Sequence, residues 1–105
     1  MGGSSMNLPK ASQYPKTIAI NDEVYKIKLV KRIPHKDSAP TDNGLCDYNT
    51  RTIYIRSTQS KRGIFRTFIH EVLHAIHGEW GFKLNHKTVY ELEVALDALL
   101  VDNFL

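Results

Sequence analysis

Three of the chain's five histidines lie within FIHEVLHAIHGEW, residues 68–80, and a glutamate stands between the first two. The segment His70-Glu71-Val72-Leu73-His74 reads HExxH. On a helix, positions i and i+4 sit one turn apart on the same side, with Cβ atoms about 6 Å apart. Two imidazoles so placed can converge on one zinc ion at about 2.0–2.1 Å. Glu71 falls about 100° round the helix, beside the ion and not on it. A carboxylate there suits a general base acting on a metal-activated water. The expectation is one Zn2+ per chain, held by His70 and His74, with Glu71 as the base of a hydrolysis.

A third ligand must come from elsewhere. His77 shares the face of His70 but lies two turns away, about 10 Å along the rod, too far to meet the same tetrahedral ion. It reads instead as the residue that ends the helix, where a cation suits the dipole, with Gly78 as the cap. Further along stand Glu91, Glu93 and Asp97. On a helical wheel Glu93 and Asp97 border the apolar face, whereas Glu91 points away. A carboxylate at a buried edge needs a partner. Glu93 is therefore the expected third ligand, and Asp97 is expected to accept the free ring N–H of a ligand histidine. Glu91 and His86 stay open as alternatives for the third position.

These residues need elements to hold them. TIAINDEVYKIKLV, residues 17–30, alternates Tyr25, Ile27 and Leu29 with lysines after Asn21-Asp22, and reads as a hairpin. LCDYNTRTIYIR, residues 45–56, reads as a second hairpin about Asn49-Thr50. A helix is predicted from about Ser60 to His77, with Ser60 as N-cap and an apolar face centred near Phe65, Val72 and Ile76. A second is predicted from about Thr88 to Asn103, opened by a capping box of Thr88 and Glu91. The fold class is thus α+β: a small mixed or antiparallel sheet of three to four strands packed against the HExxH helix and a C-terminal helix. Residues 1–6 read as added sequence before a native start at Met6, residues 7–16 as a flexible segment, and residues 17–105 as a single domain.

HExxH followed after eighteen residues by Glu93-x-x-x-Asp97 resembles the gluzincin arrangement of thermolysin-like metallopeptidases. The short chain, with its hairpins before an HEVLHA helix and a second helix after it, looks like a minimal zincin of the ImmA/IrrE-like kind found in phages and mobile elements. The resemblance implies a zinc metalloendopeptidase with His70, His74 and Glu93 as ligands, Glu71 as base and Asp97 behind a ligand histidine. It implies a protein or peptide substrate, a DNA-binding repressor among the candidates. Peptide hydrolysis also needs an oxyanion donor, for which Tyr90, His86, His77 and Tyr48 are candidates. The strand around Gly44 to Tyr48 offers an edge on which an extended peptide could pair.

Bulk composition narrows the alternatives. The chain has 105 residues, 42% of them hydrophobic, and a formal charge of +3. All 14 Lys and Arg lie at or before Lys87, against 7 acids, a net of +7, whereas the last 18 residues hold 4 acids and no Lys or Arg. A basic body admits a second reading, an inactive zincin-like module with structural zinc that binds DNA or a regulatory protein. Direct nucleic-acid binding is the less favoured of the two. No apolar run is long enough to span a bilayer. The lone Cys46 has no partner for an internal disulfide, which suits a cytoplasmic protein. Cys46 itself reads as a small core residue, and His35 as an incidental loop histidine.

Overall fold

Asn21 and Asp22 adopt left-handed backbone angles, with φ of 50° and 68°. A two-residue hairpin turn whose twist matches its strands requires such angles, and Asn and Asp tolerate them. The turn joins β1 (Thr17–Ile20) to β2 (Glu23–Val30) as an antiparallel pair in which Ala19 faces Val24. In the second hairpin, β3 (Gly44–Asp47) pairs antiparallel with β4 (Thr52–Arg56). Its turn is held by the Asp47 carboxylate, which accepts from the backbone N–H of Asn49 at 3.0 Å and of Thr50 at 3.4 Å. Both hairpins fall where the sequence places them.

The computed structural model describes residues 8–34, 42–81 and 83–104. They form one four-stranded mixed sheet in the order β1-β2-β4-β3, with β2 and β4 parallel. β3 is therefore an edge strand. The opening six residues and His35 lie outside the described residues.

Two helices complete the α+β fold: α1 (Lys61–Trp80) and α2 (His86–Phe104). Ser60 caps α1 as expected, its hydroxyl oxygen accepting from Gly63 N–H at 3.0 Å. The C-terminus differs from expectation. α1 runs past Gly78 and stops at Gly81, which takes a left-handed φ of 75° and donates its N–H to the carbonyl of His77 at 3.0 Å. Gly78 is needed for another reason. A Cβ there would lie 2.5 Å from Cε1 of Tyr48, so the glycine makes room for that ring. The predicted capping box of Thr88 and Glu91 is also corrected. Asn85 caps α2, its side-chain oxygen accepting from Thr88 N–H at 2.8 Å, and Thr88 already lies inside the helix.

The core joins Tyr25, Ile27, Ile53 and Ile55 of the sheet to Ile64, Phe65, Ile69 and Leu73 of α1 and to Val89 and Val101 of α2. The described part of the N-terminal segment contributes to it as well. Leu8 and Tyr14 are buried, and the Tyr14 ring meets Phe68 edge-on at 5.3 Å. The stretch expected to be flexible thus places two apolar side chains in the core. Val72 and Ile76 are only partly buried, while Thr67 and Glu71 are buried. The reason is that α1 packs against β3 and β4 as well as against α2, so the apolar stripe alone does not decide what is covered. Among the described residues no helix is long and apolar enough to cross a membrane.

Candidate metal centre

The helix brings His70 and His74 together as the i,i+4 spacing requires. Their Nε2 atoms are 3.1 Å apart and their ring centroids 4.8 Å apart. The other ring nitrogen of His70, Nδ1, lies 2.7 Å from Oε1 of Glu93. A carboxylate only accepts, so Nδ1 donates to Glu93, and a neutral His70 ring would then present its lone pair on Nε2, facing His74. Burial holds the pKa of His74 below the ordinary histidine value, with further lowering from the like charges of His70, His86 and His77. That favours the neutral imidazole a metal needs.

Glu71 is 7% exposed. Its carboxyl pKa is pushed up to about 7, first by burial and further by the negative charge of Glu93, while the positive end of His70 pulls the other way. The strand β3 covers it. Gly44 comes so close that a Cβ there would lie 2.5 Å from Cγ2 of Thr67 and 2.9 Å from Oε2 of Glu71. A glycine at this position lets the edge strand pass directly beside the Glu71 carboxylate.

Two shallow clefts open on either side of this centre. One, of about 330 Å³, is lined by Asn43, Gly44, Thr67, Tyr90 and Glu93 together with His70 and Glu71. The other, of about 320 Å³, is lined by His70, Glu71, His74 and His86, with Cys46 and Tyr48 of the β3 side. The His86 ring lies 5.5 Å from that of His74.

The structure places the other candidate residues as follows. Asp97 is fully buried, and its Oδ2 accepts from Arg62 Nη2 at 2.7 Å, Arg62 Nε at 3.2 Å and Arg66 Nε at 3.0 Å. Asp97 was expected behind a ligand histidine, and its Oδ2 meets arginines instead. Two arginines occupy that oxygen, and the carboxylate that meets a histidine is Glu93. Glu91 is exposed on α2, as its phase predicts. The Tyr48 hydroxyl donates to the backbone carbonyl of His74 at 2.7 Å, so it braces the helix and is not free to serve an oxyanion. Tyr90 is 58% exposed at the rim of the first cleft. His77 sits in the last turn of α1. Cys46 packs on the core, and burial pushes its thiol up to about 12, which keeps it neutral.

Gly44, Arg62 and Arg66 were not singled out by the sequence. For the arginines a signal was present. Arg62, Arg66, His70 and His74 follow one another at i+4 and form a single stripe along α1. Nothing marked Gly44 as close to Glu71, because that approach depends on how β3 lies across α1.

Comparison with protein-family models, with curated proteins and with solved structures finds no match in any of the three.

Among the described residues no group of three or more His, Cys, Asp or Glu side chains is already arranged to hold a metal ion. The histidine pair itself fits one. Two nitrogens at about 2.0–2.1 Å from a tetrahedral zinc stand roughly 3.3 Å apart, close to the 3.1 Å seen between the Nε2 atoms. Glu93 on the outer nitrogen of His70 matches the carboxylate–histidine pairing that orients metal ligands.

Proposed function

We propose that this chain is a zinc-dependent metallopeptidase on a minimal zincin-type scaffold. The observation that carries the reading is the pair of facing Nε2 atoms, 3.1 Å apart, with the buried Glu71 carboxylate beside them under an edge strand. His70 and His74 would hold the ion, one per chain. Bound zinc supplies Lewis acidity toward a carbonyl and lowers the pKa of a water to about 7.

The chain's own residues do the rest. Glu71 takes a proton from the attacking water and delivers it to the leaving amine as the C–N bond breaks. Glu93 fixes the tautomer and orientation of His70. Tyr48 ties the helix backbone at His74 to the β3 side. Among the described residues no strand pairs with the outer edge of β3, and an extended peptide can add there as a further strand. Such a peptide would run past Gly44, directly over Glu71. Tyr90 stands at the rim of the first cleft as a candidate oxyanion donor or substrate contact.

The test is Glu71→Gln, assayed on a library of unstructured peptides. The variant should keep its fold and its zinc and lose all hydrolysis. Wild-type turnover retained by Glu71→Gln would remove Glu71 from the chemistry and the peptidase reading with it.

A further inference from the structure

Contacts between α1 and α2 form a polar seam. Arg62 and Arg66 meet Asp97, His70 meets Glu93, and the His74 ring meets that of His86. Residue numbers rise along α1 as they fall along α2, so the two helices run antiparallel and each rung lies about one or two turns beyond the last. The first rung is an ion pair. The second holds the outer nitrogen of His70. The third sets a second imidazole beside the inner face of His74.

We propose that His86 is the third protein ligand of the zinc, and that Glu93 is a positioning residue and not a ligand. The inference rests on the metallopeptidase reading above and departs from the gluzincin pattern, in which the glutamate binds the ion. Three observations carry it. Glu93 is already committed to Nδ1 of His70, the nitrogen that points away from His74. His86, His74, His70 and Glu71 line one cleft together, whereas Glu93 lines the neighbouring one, which His74 does not reach. The third is the spacing of the rings. Two imidazoles bound through a ring nitrogen to one tetrahedral zinc place their centroids roughly 5.2 Å apart. The observed separations are 4.8 Å for His70 and His74 and 5.5 Å for His74 and His86.

His86 is also well situated to adjust. It is the exposed first residue of α2, directly after the Asn85 cap. A side chain at that position can change rotamer without disturbing the core. Three histidines leave a fourth position for water, as a catalytic zinc site requires.

The experiment compares zinc affinity, by competition with a chelating dye, in the wild type, His70→Ala, His86→Ala and Glu93→Gln. Circular dichroism confirms the fold of each, and X-ray absorption counts the imidazoles on the bound zinc. His86→Ala should lose affinity as fully as His70→Ala. Glu93→Gln should still bind, about 10–100-fold more weakly, and the wild type should show three imidazoles. His86→Ala with wild-type affinity, or an imidazole count of two in the wild type, overturns the assignment of His86 and leaves the HExxH site standing. Should the wild type bind no zinc, or His70→Ala bind as the wild type does, the metallopeptidase reading itself falls.

Discussion

His70 Nδ1 lies 2.7 Å from Glu93 Oε1, one turn along α1 from Arg66, whose Nε meets Asp97 at 3.0 Å. One seam between two helices therefore contains both a histidine–carboxylate contact and an arginine–carboxylate ion pair. The two carboxylates on α2 meet different partners: Glu93 meets the His70 ring, and Asp97 pairs with two arginines of α1. Distinct variants should separate the two roles.

Asp97→Asn tests the fastening. The carboxylate is fully buried and receives three hydrogen bonds from two guanidinium groups. Replacing it with a neutral amide should cost about 1.5–3 kcal/mol, the range for hydrogen bonds to charged groups, read from urea unfolding of the metal-free protein. Zinc affinity of the folded variant should change no more than a few-fold. A drop of about 10–100-fold would instead mean that Asp97 supports a ligand after all.

Gly44→Ala tests how closely β3 must pass the base. The added methyl meets Thr67 and the Glu71 carboxylate at separations no carbon tolerates, so Glu71 or the strand must shift. A cost of about 1–3 kcal/mol is expected for overpacking. Hydrolysis should fall sharply while zinc stays bound. Unchanged turnover in this variant would show that the base does not need its present seat.

Much of this arrangement is legible in the sequence, and the part that is not has a common cause. Asn21-Asp22, the alternation after it and the spacing of His70 and His74 are local signals, and each element they predict is present. The helix ends were misplaced because single residues carry two possible meanings. Gly78 resembles a cap but is small to admit the Tyr48 ring, and Thr88 resembles a cap but follows Asn85, whose side chain takes the N–H first. The phase of Glu93 and Asp97 on α2 showed that both border the core. It did not show which faces a histidine, because that depends on the register of α2 against α1. Leu8 and Tyr14 were missed for a similar reason: a short polar stretch gave no periodicity, and its two anchors act only through distant partners.

Tyr48→Phe removes the hydroxyl that binds the His74 carbonyl. The bond is solvent-exposed, so the stability loss should be small, about 0.5–1 kcal/mol by chemical denaturation. Hydrolysis should persist, since that hydroxyl is occupied by the helix. Complete loss of turnover with zinc retained would return Tyr48 to the list of oxyanion donors.

Glu79 supplies a pH test away from the centre. Its pKa is held below the ordinary 4.5, first by the Tyr25 hydroxyl, which donates at 2.6 Å, and then by Arg51 Nε at 3.1 Å. The folded value lies below the unfolded one. Ionised Glu79 therefore stabilises the fold above the unfolded pKa, and that contribution is lost as pH falls through the folded one. Unfolding free energy measured from pH 7 to pH 3 should fall more steeply for the wild type than for Glu79→Gln, with the gap closing at the acid end. Parallel curves would contradict the assignment.

The central claim is that His70 and His74 hold a metal. The most direct measurement is the zinc content of the purified chain after dialysis without chelator, repeated after zinc is added back. The account predicts about one equivalent per chain in the wild type and a large loss in His70→Ala. Well-folded wild-type protein that retains no zinc, even after it is added back, would contradict it.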